Sequence, residues 1–226
     1  MEVQKRRARA LVAALRATRP DARVELDHKS PFELLVATIL SAQCTDARVN
    51  QVLPELLRAY PTPAAMSEAD PDRLEGLIRS TGFYRSKARS ILGCSRALLE
   101  RHQGMVPRTM EELLVLPGVG RKTANVVLGA AYGIALGIVV DTHMARVARR
   151  LGLTRHEDPE RIEADLMRLV PQEDWIYFSI AMVLHGRYVC LARAPRCGEC
   201  PLRGLCPSAD RLTPAAVRPL RGRGRG

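Results

Sequence analysis

The fold is decided by residues 116–124, which read Leu-Pro-Gly-Val-Gly-Arg-Lys-Thr-Ala and lie between two segments of helical periodicity. Gly118 and Gly120 allow the backbone to turn with positive φ and leave several amide groups without partners. The next helix starts at about Arg121, so its N-terminal dipole adds to those amides. The alternative is an ordinary corner between two helices with glycine caps. The basic helix start favours a phosphate-binding cradle formed by Leu116, Gly118, Val119, Gly120 and Arg121.

Helical signals continue on both sides of this loop and predict an all-α protein. Ser30-Pro31-Phe32-Glu33 forms a capping box with proline at the first helical position, and Asp70-Pro71 and Thr109-x-x-Glu112 start helices in the same way. Pro54 should kink or split the helix predicted over residues 46–59. The sequence contains no alternating strand of useful length. Further helical periodicity covers residues 86–99, 122–132, 142–151, 161–170 and 175–185.

The composition favours a polyanionic partner. The 226 residues include 35 lysines and arginines against 24 acidic residues, which gives a formal net charge of +11. Only four of these charges lie in the tail from Arg218 to Gly226, so the rest of the chain is basic as well, and nucleic acid is the first candidate. Residues 213–226 are predicted to be a disordered basic tail. Aromatic residues make up 4% of the chain, which disfavours a stacking platform of the RNA-binding type.

Four cysteines near the C-terminus indicate a bound metal: Cys190, Cys197, Cys200 and Cys206, with the spacing C-x6-C-x2-C-x5-C. Disulfides are disfavoured, because no apolar signal segment is present at the start and a reducing, cytoplasmic location is expected. No membrane segment is present in the sequence. All-cysteine zinc sites usually contain two C-x2-C pairs, whereas this sequence has one. The spacing therefore leaves zinc and an iron-sulfur cluster as equal alternatives.

Two polar residues at predicted helix starts are candidates for catalysis. Lys122 follows the glycine loop, where a helix N-terminus, the charge of Arg121 and partial burial would disfavour the ammonium form and make the amine a nucleophile. Asp141 follows an apolar segment, and its carboxylate could stabilise developing positive charge and transfer protons. Each residue has a structural alternative, a solvated charge for Lys122 and an N-cap for Asp141. The N-cap role is compatible with the catalytic one.

Together these motifs resemble the endonuclease III family of helix-hairpin-helix DNA glycosylases over residues 5–212. The match rests on residues 116–127, on Val-Asp-Thr-His at 140–143, and on His-Gly-Arg-Tyr-x-Cys at 185–190 followed by the other three cysteines. These motifs occur in the family's order and at its separations.

The resemblance implies an all-α, two-lobed helix-hairpin-helix glycosylase fold. Residues 23–134 would form a six-helix barrel lobe that contains the hairpin. Residues 1–22 and 135–212 would form an iron-sulfur cluster lobe, in which the four cysteines hold one 4Fe-4S cluster. DNA and the active site would lie in the cleft between the lobes.

In function, the resemblance implies a bifunctional DNA glycosylase and lyase of base excision repair. The enzyme would act, as a monomer, on duplex DNA with an oxidised pyrimidine or an abasic site. Lys122 would attack C1′ of the flipped nucleotide with the help of Asp141, and β-elimination would then cut the strand on the 3′ side. Two alternatives stay open: a non-catalytic, cluster-bearing DNA-binding module, and a monofunctional mismatch glycosylase that forms no covalent intermediate.

The resemblance also assigns DNA contacts outside the hairpin. Gln43 matches the residue that fills the gap opposite the lesion. Phe83 matches a loop position that wedges between base pairs, where well-known relatives carry an aliphatic residue. The family uses basic residues between the first two cysteines on the phosphate backbone, and here these are Arg193 and Arg196. Without the resemblance, each of these residues would be interpreted as a surface polar group or a loop anchor.

Overall fold

The computed structural model describes residues 2–212, and in this range the chain forms helices and no β-strand. The predicted all-α class is therefore confirmed. The predicted disorder of residues 213–226 falls outside the described residues. The α-helices are α1 (Glu2–Thr18), α2 (Pro31–Leu40), α3 (Asp46–Ala59), α4 (Pro63–Ser67), α5 (Pro71–Ile78), α6 (Tyr84–His102), α7 (Met110–Leu114), α8 (Arg121–Tyr132), α9 (Thr142–Arg150), α10 (Pro159–Leu169), α11 (Trp175–Tyr188) and α12 (Ala209–Leu212).

The predicted helix starts are confirmed by their capping hydrogen bonds. The side chain of Ser30 accepts from the amide of Glu33 at 3.2 Å, and Thr109 caps α7 in the same way through the amide of Glu112 at 3.3 Å. Asp70 caps α5. Glu33 differs from a standard capping box, because its carboxylate accepts from the amide of Lys29 rather than from that of the cap residue.

Of the predicted kink or split at Pro54, the split is wrong. α3 runs without a break from Asp46 to Ala59 with Pro54 inside it. Proline removes one backbone hydrogen bond, but Val49, Leu53 and Leu56 on the same helix are at most 2% exposed. Burial of three such side chains contributes about 5 to 9 kcal/mol, which exceeds the cost of about 3 kcal/mol for an internal proline. Tertiary packing therefore holds the helix together.

Two separate hydrophobic cores divide the helices into two groups. The first core consists of buried side chains of α2 to α8, and we call this group the first lobe. The second core joins α9, α10 and α11 to Leu11 and Leu15 of α1, and we call this group, with α12, the second lobe. The chain passes from one core to the other between Ala22 and Val24 and again between Ile134 and Ile138. The N-terminal helix consequently packs with the C-terminal helices.

A helical hairpin of α7, residues 115–120 and α8 lies on the first lobe. Leu116 and Val119 are 2% and 7% exposed and anchor the turn in the first core. Gly118 has a φ of 79°, and a β-carbon there would lie 2.6 Å from Cβ of Ser90 in α6. Both the backbone conformation and the close approach of α6 therefore require glycine. The hairpin packs closely on α6 while Gly118 and Gly120 stay exposed.

Candidate active site and DNA-binding surface

A cavity of about 90 Å³ lies between the two lobes and is lined by both. The first lobe contributes Lys122, the second residue of α8, which is exposed and not partly buried as the sequence analysis expected. Asp141 approaches from the second lobe as the N-cap of α9, where its Oδ1 accepts from the amide of Met144 at 2.7 Å. The two candidate catalytic residues thus share one cavity. Much of the remaining lining is apolar and includes Val126, Ile134, Val139, Ile180 and Leu184.

This arrangement supplies two complementary chemical groups. The cap hydrogen bond fixes the carboxylate of Asp141, and its Oδ2 makes no hydrogen bond to any other group in residues 2–212. That oxygen is available to a bound molecule. An amine and a fixed carboxylate at the edge of one mostly apolar cavity suit nucleophilic attack on an electron-poor carbon, with the carboxylate stabilising the positive charge that develops.

The hairpin beside Lys122 offers backbone donors to an anion. Within residues 2–212, the amides of Gly118, Gly120 and Lys122 donate to no backbone carbonyl. Leu116 and Val119 are buried, so their side chains serve as anchors and any contact they make with DNA would be through the backbone. Unpaired amides at the N-terminus of a helix of 12 residues form a favourable position for a phosphate.

Arg121 has a partner that the sequence analysis missed. Its Nε donates to Oε2 of Glu163 at 2.7 Å, and its Nη2 donates to Oε1 at 3.3 Å. This hydrogen bonding to Glu163 raises the pKa of Arg121. The guanidinium of Arg121 therefore joins the two lobes through Nε and Nη2. Glu163 lies between Ile162 and Leu166, which are both buried in α10. An acidic residue at such a position usually has a charged partner, and this was the one signal in the sequence that could have indicated the ion pair.

Four exposed non-glycine residues have a left-handed backbone conformation: Gln43 with a φ of 51°, Phe83 of 48°, Gln103 of 54° and Ala194 of 49°. The left-handed region costs a non-glycine residue about 1 to 2 kcal/mol, and such strain is concentrated at functional positions. Gln43 and Phe83 are exposed, Phe83 to 66%, and Ala194 lies between the exposed side chains of Arg193 and Arg196. Three of the four positions thus lie in loops whose side chains the family resemblance assigns to DNA, whereas Gln103 ends α6.

A second ion-pair group borders the cavity. Arg187 donates to Oε2 of Glu25 at 2.7 Å and to Oδ2 of Asp46 at 2.5 Å. Burial opposes the charge of Arg187, but its hydrogen bonds to Asp46 and Glu25 outweigh that effect and raise its pKa. Tyr188 donates to the other oxygen of Glu25 at 2.6 Å. The sequence analysis missed this group, because Glu25 and Asp46 are more than 140 residues away in the chain from Arg187 and Tyr188.

The four predicted metal ligands line one cavity in the second lobe. Burial raises the pKa values of the Cys200 and Cys206 thiols, and the charges of the neighbouring cysteines raise them further. Nη1 of Arg150 donates to the sulfur of Cys190 at 3.3 Å. In residues 2–212, however, no group of three or more His, Cys, Asp or Glu side chains is arranged so that it could hold a metal ion. The shared cavity and the all-thiol donor set nevertheless fit a group that binds soft ligands.

His185 belongs to the surroundings of these cysteines. It is 2% exposed, and its Nε2 lies 3.6 Å from Sγ of Cys200. Burial is the main cause that lowers its pKa to about 4, so the ring is neutral at pH 7. His185 is therefore a buried, neutral neighbour of the four cysteines.

Comparison with known families gives two matches. Residues 36–172 match the HhH-GPD superfamily base excision DNA repair protein family, and residues 190–206 match the iron-sulfur binding domain of endonuclease III. The second match begins and ends at the first and last of the four cysteines. Among the described helices, none has the length and apolar character needed to cross a membrane.

Individual relatives agree with these matches. Endonuclease III of Synechocystis sp. is 55% identical over 210 residues, which cover 93% of this chain and 96% of the relative. Two solved structures each superpose with a TM-score of 0.87 at 45% identity and cover 92% of this chain and 97% of their own. One is a non-covalent endonuclease III–DNA complex, and the other is a trapped endonuclease III–DNA covalent intermediate, an estranged-adenine complex. The chain therefore belongs to the endonuclease III family, within the HhH-GPD superfamily of base excision DNA repair proteins.

Proposed function

We propose that this protein is a bifunctional DNA glycosylase and abasic-site lyase that excises oxidised pyrimidines from duplex DNA. The observation that carries the proposal is the placement of Lys122 and Asp141 at one cavity beside the hairpin. Phosphate binding alone would need the hairpin but no carboxylate. A covalent endonuclease III–DNA intermediate among the similar structures supports the choice of a lyase over a non-catalytic module or a monofunctional glycosylase.

The chemistry follows from the two side chains. With the damaged nucleotide flipped into the cavity, Nζ of Lys122 forms a bond to the sugar C1′ while the bond from C1′ to the base breaks. Asp141 stabilises the cationic sugar of the transition state, accepts the proton that the attacking amine loses and passes it to the departing base. Ring opening produces a Schiff base, in which the C2′ proton is acidic. Loss of that proton expels the 3′ phosphate and cuts the strand.

The remaining contacts hold the duplex open. Amides of the hairpin bind phosphate, and Arg193 and Arg196 extend the basic surface. Phe83 wedges into the base stack, and Gln43 donates and accepts hydrogen bonds opposite the lesion. Both side chains are exposed on their loops, which supports this assignment.

The four cysteines hold one 4Fe-4S cluster in this proposal. When bound, the cluster would supply iron–sulfur bonds that link the two ends of the 190–206 segment, which carries Arg193 and Arg196. Metal analysis should find four irons per chain, and one zinc without iron would contradict the cluster.

The two cores support lobe boundaries at 23–134 for the barrel and at 1–22 with 135–212 for the cluster lobe. We also propose that the protein acts as a monomer.

One experiment tests the function. Duplexes that contain thymine glycol, another oxidised pyrimidine, an abasic site or no lesion are incubated with the protein in the presence of borohydride. The proposal predicts covalent adducts with the damaged and abasic duplexes only. Base release without any adduct would indicate a monofunctional glycosylase, and binding without either product would indicate a DNA-binding module.

A further inference from the structure

The buried carboxylate of Glu163 joins the two lobes beside the catalytic cavity. Glu163 lies on α10 of the second lobe and is 5% exposed. It accepts two hydrogen bonds from Arg121, and its Oε1 also accepts from Nδ2 of Asn125 at 3.0 Å. Both donors lie at the start of α8 in the first lobe. Hydrogen bonds to an ionised carboxylate are shorter and stronger than neutral ones, so this group fixes α8 against the second lobe.

The same carboxylate contacts the segment that leads to Asp141. A β-carbon at Gly137 would lie 2.0 Å from Oε1 of Glu163 and 2.8 Å from Nδ2 of Asn125. Gly137 is not among the residues with positive φ, so close approach alone requires glycine there. The side chain of Glu163 therefore touches both the helix that carries Lys122 and the connection that ends at Asp141.

We propose that Glu163, Arg121, Asn125 and Gly137 form a clasp that positions Lys122 relative to Asp141, and that Arg121 serves in this clasp rather than as a phosphate ligand. The proposal rests on the function proposed above. Lys122 lies between Arg121 and Asn125 in the sequence, and the clasp holds both of these neighbours. Glu163 is a positioning residue, because it acts on the reacting amine through α8.

The clasp also has an electrostatic effect that a simple packing role would lack. The side chain of Arg121 is 45% exposed and stands at the edge of the hairpin. If Glu163 loses its charge, the guanidinium becomes free to bind a DNA phosphate. Each additional phosphate contact steepens the dependence of log affinity on log salt concentration by about 0.9. Loss of the clasp should therefore strengthen electrostatic DNA binding while it slows the chemistry.

The test compares Glu163→Gln, Arg121→Met and the double variant with wild type. Borohydride trapping on an abasic duplex under single-turnover conditions measures positioning, and the salt dependence of binding to undamaged duplex counts phosphate contacts. For Glu163→Gln we expect trapping to slow by at least about tenfold and the salt slope to steepen by about 0.9. For Arg121→Met we expect slower trapping with an unchanged slope. The double variant should bind undamaged duplex with the wild-type salt slope. Its rate of borohydride trapping should be no lower than that of the slower single variant.

Controls separate the clasp from general damage to the fold. Glu157→Gln removes an exposed carboxylate whose only ion pair in residues 2–212 is with Arg149, and it should behave as wild type. Gly137→Ala disturbs the clasp without changing any charge and should slow trapping. Gly76→Ala, where a β-carbon meets no atom within 4 Å, is its matched control. Thermal unfolding of each variant reports on folding.

Two results would overturn the clasp. One is wild-type trapping by both Glu163→Gln and Gly137→Ala. The other is a shallower salt slope for Arg121→Met, which would make Arg121 a phosphate ligand. If wild type itself formed no adduct, the proposed function would fail instead, and the salt slopes would still show whether Glu163 holds Arg121 away from DNA.

Discussion

Replacing Asp141 by asparagine separates the two roles of this side chain. Asparagine caps helices as well as aspartate does, so the 2.7 Å hydrogen bond from the amide of Met144 should be kept. We expect the free energy of unfolding to change by less than about 1 kcal/mol, mainly through the lost interaction with the helix dipole. The negative charge that faces the cationic sugar is lost. Removal of one preorganised electrostatic group costs about 3 to 4 kcal/mol in the transition state, so base release should slow by about 10² to 10³.

The assay is single-turnover release of an oxidised pyrimidine from duplex DNA, together with duplex affinity and thermal unfolding. Asp158→Asn is the matched control, because Asp158 caps α10 through the amide of Arg161 at 3.0 Å and does not line the cavity. It should release base at the wild-type rate. Asp141→Ala should lose about 1 kcal/mol of stability in addition to activity. Wild-type base release by Asp141→Asn, or an equal loss in Asp158→Asn, would refute the assigned role of the carboxylate.

Three further predictions concern the DNA-binding surface. Gly118→Ala should weaken binding to undamaged duplex and lower stability by at least about 1 kcal/mol, because of its positive φ and the contact with α6; an effect no larger than that of Gly76→Ala would contradict this. Gln43→Ala and Phe83→Ala should impair processing of damaged duplex more than Schiff-base formation on a single-stranded abasic site, and equal losses on both substrates would speak against a duplex-opening role. Arg193→Gln and Arg196→Gln each remove one exposed cation between the first two cysteines. Each should make the dependence of log affinity on log salt concentration shallower by about 0.9, whereas an unchanged slope would exclude a phosphate contact.

Local chemistry explains what the sequence could predict. Ser30, Asp70 and Thr109 mark helix starts because a cap bonds to amides only three residues away. Asp141 was recognised as a cap for the same reason. The hairpin was identifiable because its glycines, apolar anchors and basic helix start lie within nine consecutive residues. Signals of this short range do not depend on the rest of the fold.

Tertiary contacts explain what the sequence could not predict. The pairing of Arg121 with Glu163 spans 42 residues, and that of Asp46 with Arg187 spans 141. The packing of the lobes decides which carboxylate forms an ion pair with which guanidinium, and no local sequence pattern predicts the pairing. Pro54 shows the same limit, because burial of its helix outweighs a strong local signal. The left-handed conformation of Phe83 was likewise unexpected, since propensity disfavours it.

The location of the covalent bond to DNA tests the central claim most directly. Wild-type protein is trapped with borohydride on an abasic duplex, the adduct is digested, and mass spectrometry locates the residual sugar fragment. We predict that the fragment is on Lys122, and that Lys122→Gln forms no adduct and cuts no strand while it still binds the lesion. A fragment on the N-terminal amine or on another lysine would contradict the catalytic assignment.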